Sequence, residues 1–191
     1  MYVITLVLFV LCFGSFAWAM YGGFFLVSSR MSDWAIILRL VSGACAVCHV
    51  VALLTVNHVV HEWLMAASLL YLISLLLFWS ALVTNKRIPL FHCFTELVPD
   101  HIVTHGPYKH IRHPFYTSYT CAWVAGVIAT QQQWLWGTVF AMCFLYWKAA
   151  SREEAEFLNS PLSAAYRAYM LQTGFMWPPI FGRKPETPTR V

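Results

Sequence analysis

Long apolar runs joined by short polar segments set the rhythm of this chain. Such runs extend from about Tyr2 to Val27, Trp34 to Val56 and Trp63 to Val83. A shorter one spans about Pro114 to Thr130, and a last one about Trp134 to Ala150. About 20 helical residues, rising ~1.5 Å each, cross the ~30 Å hydrocarbon layer of a bilayer. The pattern therefore predicts an all-α, polytopic membrane protein with about five transmembrane helices.

Composition agrees: of 191 residues, 60% are hydrophobic and only 10% charged, with a mean hydropathy of +0.63. No soluble globular domain has that balance. No internal repeat is visible, so residues 1–191 read as one integral membrane domain. Within it lie three N-terminal spans (1–83), a more polar region with two spans (84–182) and a tail (183–191).

Charge placement orients the spans. Five crossings put Arg30, Lys86, Arg87, Lys109, Arg112, Arg152, Arg167, Arg183, Lys184 and Arg190 on one side. Arg39 and Lys148 can snorkel to the same side. The opposite joints, Asn57–Glu62 and Gln131–Gln133, hold no Lys or Arg. Basic residues stay cytoplasmic, which predicts an outside N-terminus and a cytosolic C-terminus. The net charge of +4 then reflects topology, not nucleic-acid binding. Trp34, Trp63, Trp134 and Trp177 fall near span ends, as interfacial anchors do. Ala17-Trp18-Ala19 has the look of a signal-peptide cleavage site, but no basic segment precedes it and the apolar run is too long. A retained helix is expected.

Several potential ligands have plainer readings. Cys45-Ala46-Val47-Cys48-His49 matches the haem-attachment spacing, yet it lies mid-span, where His49 suits helix packing. Disulfides are not expected for residues within spans or on a reducing face. His58 and His61 read as part of a solvated turn. His101, His105, His110 and His113 lack the tight spacing and partners of a zinc site, so no metal is expected.

Two polar clusters stand at the ends of the hairpin from Phe115 to Lys148. In the first, Gly106-Pro107 signals a turn and Pro114 suits the first helical turn. The positive end of that helix, with Lys109 and Arg112, attracts an anionic group. In the second, Glu153, Glu154 and Glu156 leave the last span. If both ends share one membrane face the clusters meet, offering anion recognition, aromatic walls and cation recognition to a zwitterionic, adenine-bearing molecule.

The string Asp100-His101-Ile102-Val103-Thr104-His105-Gly106-Pro107-Tyr108 is followed by Arg112-His113-Pro114-Phe115-Tyr116, Glu153-Glu154, Tyr166-Arg167-Ala168-Tyr169 and Trp177-Pro178-Pro179. This ordered set resembles the isoprenylcysteine carboxyl methyltransferases, over about Pro99 to Pro179. Phospholipid N-methyltransferases share a looser version of it. The resemblance implies an S-adenosylmethionine-dependent enzyme, residues 84–182 being its catalytic region. The cofactor pocket would form on the cytosolic side, from the loop before helix 4 and the segment after helix 5.

Carried over, the donor-binding residues are Asp100, His101, Ile102, Val103, Tyr108, His113, Pro114, Phe115, Tyr116 and Glu154. Arg112, His113 and Glu154 are the expected catalytic residues, and Arg112 with Arg152 the expected acceptor-binding pair. Two positions depart from the family pattern. Ala150 stands where prenylcysteine enzymes carry an arginine, with Arg152 and Lys148 as candidate substitutes, and Asp100 stands where a histidine is usual. The expected reaction is carboxyl O-methylation of an isoprenylcysteine-type acceptor entering from the bilayer. The alternatives are N-methylation of a phospholipid amine, O- or S-methylation of a small lipophilic molecule, and a non-catalytic haem- or quinone-associated subunit.

Overall fold

The computed structural model describes residues 1–21, 33–56, 60–85 and 101–179. Asp100, His58, Cys93 and the tail 183–191 lie outside the described residues, as do Arg30, Lys86 and Arg87. Six α-helices are present among those described: α1 (Tyr2–Tyr21), α2 (Asp33–Thr55), α3 (His61–Thr84), α4 (Pro114–Thr130), α5 (Trp136–Leu158) and α6 (Ser163–Gln172). Short 3-10 turns precede α4 (Gly106–Lys109) and α5 (Gln133–Leu135).

Three helices, α1 to α3, are long and apolar enough to cross a membrane. The two others expected to do so differ for physical reasons. With 17 residues, α4 is about 26 Å long, short of the hydrocarbon thickness. Its residues are buried almost all round, because α1, α2, α3 and α5 enclose it. The fifth helix runs eight residues past Ala150, and its added turns carry Arg152, Glu153, Glu154 and Glu156.

Neighbouring helices alternate in direction. Tyr2 at the start of α1 donates to the Leu53 carbonyl near the end of α2 (2.5 Å). The far end of α1 meets the far end of α3 through stacked Trp18 and Trp79, 5.8 Å apart. Ser74 of α3 donates to the Ser118 carbonyl of α4 (2.7 Å). The close approach of α3 and α4 follows from small residues: Ala122, Ala125 and Ala129 face Leu64, Ala67 and Tyr71 in one core cluster. Small side chains let backbones pack where lipid supplies no hydrophobic drive between helices. Meanwhile Val3, Val7 and Val10 of α1, and Met65, Leu69, Leu72 and Leu76 of α3, are exposed. Those outward apolar stripes suit hydrocarbon.

The chain then turns back on itself. Tyr166 of α6 lies flat on Phe157 of α5, with ring centres 4.5 Å apart and planes 6° from parallel. This folds Thr173–Met176 across the start of α4 as a strap. Arg112 N–H donates to the Gly174 carbonyl (2.9 Å), Gly174 N–H to that of His110 (3.0 Å), and His113 N–H to that of Phe175 (3.1 Å). Thr117 Oγ1 completes the lacing on the Met176 carbonyl (2.7 Å). Glycine is needed at 174, because a β-carbon there would collide with the Trp177 carbonyl.

Candidate active site

The start of α4 and the end of α5 come together under the strap. Pro114 opens α4 and leaves His113 at its N-cap, so Arg112 and His113 project from immediately before the first helical turn. They meet Glu153 and Glu154, which stand seven and eight residues beyond Tyr146 and so continue the face of α5 that packs on α4.

Glu154 is the hub. Its Oε1 accepts from Arg112 Nε at 2.6 Å and lies 3.1 Å from His113 Nε2. Arg112 spends further donors on the Thr173 carbonyl (2.5 Å) and the Met170 carbonyl (3.4 Å). Its guanidinium carbon lies 5.8 Å from the Phe175 ring centre. One arginine thus ties α5, α6 and the strap to α4.

Glu153 takes a different place. Its Oε1 accepts the Tyr116 hydroxyl (2.5 Å), its Oε2 is 3.5 Å from His113 Nδ1, and its side chain keeps 32% exposure against 12% for Glu154. Behind it, Tyr116 stacks on Tyr146 (5.4 Å), whose hydroxyl accepts from Trp123 Nε1 (3.0 Å).

Burial by itself would strip His113 of its proton. The carboxylates on both ring nitrogens outweigh that effect and raise its pKa above the ordinary 6.5. Burial of Glu154 acts to raise its pKa, but His113 and Arg112 prevail and hold it below 4.5. The two shifts predict the pH dependence of stability. The Glu154 contribution is complete above about pH 4.5 and is lost as pH falls through its lowered pKa. The His113 contribution is complete below about pH 6.5 and is lost as pH rises through its raised pKa. Melting temperature should therefore be highest between those values. His113→Gln should flatten the alkaline limb of the profile and leave the acid limb in place.

The remaining predicted residues are spread around this centre. Ile102 and Val103 are half-buried, and Val103 packs on Phe78, Tyr108 and Phe115. His101 is half-buried nearby. Tyr108 is buried, and burial raises its pKa so that the phenol stays protonated. Its hydroxyl accepts from Asn85 Nδ2 (2.9 Å), and its carbonyl accepts from Tyr169 (2.7 Å). Tyr108 therefore anchors the turn before α4 to the end of α3. Gly106 enters that turn at φ +59°, with the Thr84 side chain filling the space a β-carbon would need. Pro114 and Phe115 are buried.

Arg152 is not brought into the cluster. It lies exposed on the outer side of α5 with Glu156 at 3.3 Å. Ala150 is fully buried. Residues two apart on a helix point about 200° away from one another, so Lys148 and Arg152 leave α5 on a different side from Ala150.

Beside the cluster lies a cavity of about 400 Å³ between α4 and α5. Thr117, Thr120, Cys143, Trp147 and the strap residues Phe175, Met176 and Trp177 line it. Phe175 separates it from His113, their ring centres 4.9 Å apart. Two elements of this region carry little sequence signal. The strap works through backbone carbonyls, which any residue provides. Asn85 stands alone at a helix end. Glu153 was within reach, since it falls seven residues after Tyr146 and so on the same helix face.

Among the described residues no group of three or more His, Cys, Asp or Glu side chains converges as a metal site. The five described cysteines are free thiols, and His49 is fully buried, with Nε2 on Thr138 Oγ1 at 2.8 Å.

A polytopic helical architecture with a buried ionic cluster at one end and an apolar cavity beside it defines a membrane protein with an enzyme-like site. The chain belongs to the phospholipid methyltransferase family, whose model matches residues 62–164, more than half its length. That stretch runs from the start of α3 into α6. It includes Tyr108, Arg112, His113, Tyr116, Glu153 and Glu154, and ends before the strap. No curated protein and no solved structure matches the chain. Membership makes it a membrane methyltransferase, and enzymes of this family generally depend on S-adenosylmethionine.

Proposed function

We propose that this protein transfers a methyl group from S-adenosylmethionine to a single-tailed lipophilic acceptor, by carboxyl O-methylation of an isoprenylcysteine-type molecule. The observation that carries the reading is the Arg112–Glu154–His113–Glu153–Tyr116 cluster, set against an apolar cavity. When bound, the donor supplies an electrophilic methyl group on a sulfonium. Its cationic centres, carboxylate and hydroxyls match this donor set: a half-exposed carboxylate on Glu153, aromatic walls and the cationic Arg112. The residues that would hold it are Asp100, His101, Ile102, Val103, Tyr108, His113, Pro114, Phe115, Tyr116 and Glu154. In this division of labour Glu154 positions Arg112 and His113, while Glu153 has the exposure to meet a cation.

The state of His113 favours a carboxylate acceptor. An imidazole gripped by carboxylates on both nitrogens holds its proton and is poorly placed to take one from an amine or phenol. A carboxylate is already ionised near neutral pH and needs no base. Alignment and water exclusion then supply the rate. The cavity, near the lower end of the ~300–1,000 Å³ typical of small-molecule sites, suits one tail better than two. Five crossings, an outside N-terminus and a cytosolic site complete the proposed topology, with the acceptor entering between α4 and α5.

N-methylation of a phospholipid amine is the second reading. Glu153, held by Tyr116 and partly exposed, is the group that would receive the ammonium proton. Calorimetry with S-adenosylhomocysteine in detergent tests donor binding. A radiolabelled-methyl assay across prenylcysteine, phospholipid, phenol and thiol acceptors then tests the reaction. Base-labile label on prenylcysteine and a rate flat through neutral pH are expected. Label stable to base on phospholipid, with a rate rising with pH, would replace the first reading by the second. Absence of donor binding would remove both.

A further inference from the structure

Four helices meet at an uncharged polar point toward the α4–α5 joint, at the opposite end of α4 from the site above: His49 of α2, Tyr71 of α3, Gly126 of α4 and Thr138 of α5. His49 and Tyr71 are both 0% exposed. The hydrogen bonds favour one state of the imidazole. Thr138 Oγ1 donates its only proton to the Leu135 carbonyl at 2.7 Å. Toward His49 Nε2, 2.8 Å away, it can therefore only accept. With the Thr138 proton on Leu135, Nε2 carries the hydrogen, and Nδ1 of the neutral ring is a bare lone pair.

That lone pair has no hydrogen-bond partner, and neither has the Tyr71 hydroxyl. One is an acceptor lacking a donor; the other is a donor lacking an acceptor. Both border the point where a side chain on Gly126 would begin. A β-carbon there would collide with Nδ1 of His49 and lie 3.2 Å from the Tyr71 hydroxyl. Trp123 closes another side, its ring edge-on to His49 with centres 5.1 Å apart. Unmet polar atoms are costly where neither solvent nor lipid can pair with them.

We infer that His49 and Tyr71 form a closed, membrane-buried site for one water molecule, which donates to Nδ1 of His49 and accepts the Tyr71 hydroxyl proton. Two polar partners meet the lower requirement for a buried water. Glycine at 126 lets the His49 ring and the Tyr71 hydroxyl come close to the α4 backbone. The site pins the imidazole in its Nε2–H form and links α2, α3, α4 and α5 through one polar node. It accounts for a buried histidine nitrogen and a buried tyrosine hydroxyl that the protein itself leaves unpaired.

The test uses the full chain, labelled with 15N-histidine, in lipid nanodiscs. The His49 signals are assigned by difference against His49→Gln. Expected are the Nε2–H tautomer, an Nδ1 resonance displaced toward its hydrogen-bonded position, and magnetisation transfer from a slowly exchanging water. Gly126→Ala should abolish that transfer. Adding Tyr71→Phe to Gly126→Ala should lower the melting temperature no further than Gly126→Ala alone. The opposite tautomer, or an unbonded Nδ1 with no water transfer, would overturn the site. So would a displaced Nδ1 without water transfer that reverts in Tyr71→Phe, since that marks a direct tyrosine–histidine bond. Should Gly126→Ala fail to fold, the wild-type spectrum decides alone.

Discussion

Exchanging Glu154 for glutamine is expected to abolish binding of S-adenosylhomocysteine and to lower methyl transfer by about 100-fold or more. The side chains of Arg112 and Glu154 are only 9% and 12% exposed, with 2.6 Å between Nε and Oε1. Removing one charge of a buried pair leaves the other uncompensated, at a cost of about 3–5 kcal/mol. The loss should spread, because Arg112 also holds the Met170 and Thr173 carbonyls. A loosened strap would displace Phe175 and His113, and a misplacement of about 1 Å can cost ~100-fold in rate. Arg112→Lys should fail similarly, since an ammonium cannot reproduce the forked contacts of a guanidinium. Melting curves with and without S-adenosylhomocysteine measure both effects. A Glu154→Gln protein with unchanged melting temperature and donor affinity would deny Glu154 its role as hub.

Filling the cavity should separate acceptor from donor. Cys143 is half-buried on the cavity wall, with its sulfur 3.9 Å from Thr120 Oγ1. Cys143→Trp would intrude into part of the ~400 Å³ and displace part of an acceptor tail. Each methylene kept from burial forfeits about 0.8 kcal/mol, so losing two raises KM roughly tenfold. Donor affinity by calorimetry should not change, because the ionic cluster lies on the other side of Phe175. Cys143→Ala, which enlarges the cavity, should leave KM within about twofold. An unaltered acceptor KM in Cys143→Trp would place the tail elsewhere. Loss of donor binding in that variant would show that cavity and cluster are one compartment.

The helices could be read from the chain because membrane burial leaves a long, one-sided compositional record. The ends of α2, α3 and α4 fall within two residues of the hydrophobic runs that predict them. Arg112, His113 and the acidic pair were visible for a related reason, since charge beside an apolar span is rare and its uses are few. The end of the α5 extension and the whole of α6 were not visible. Their amphipathic and mixed composition does not distinguish a packed helix from a surface one, and Tyr166 shows its purpose only when it lies on Phe157.

Residue chemistry alone thus marked the helical membrane class and the two polar ends of the hairpin. Only packing in three dimensions assigned the partners. It gave Glu154 to Arg112 and His113, gave Glu153 to Tyr116, turned Arg152 outward and laid Thr173–Met176 over the start of α4. The reason is that hydropathy is a property of each residue, written locally and additively. Which carboxylate is buried, and which backbone carbonyl an arginine reaches, depends on helix rotation and on contacts between segments some 40 to 60 residues apart. No local pattern records those.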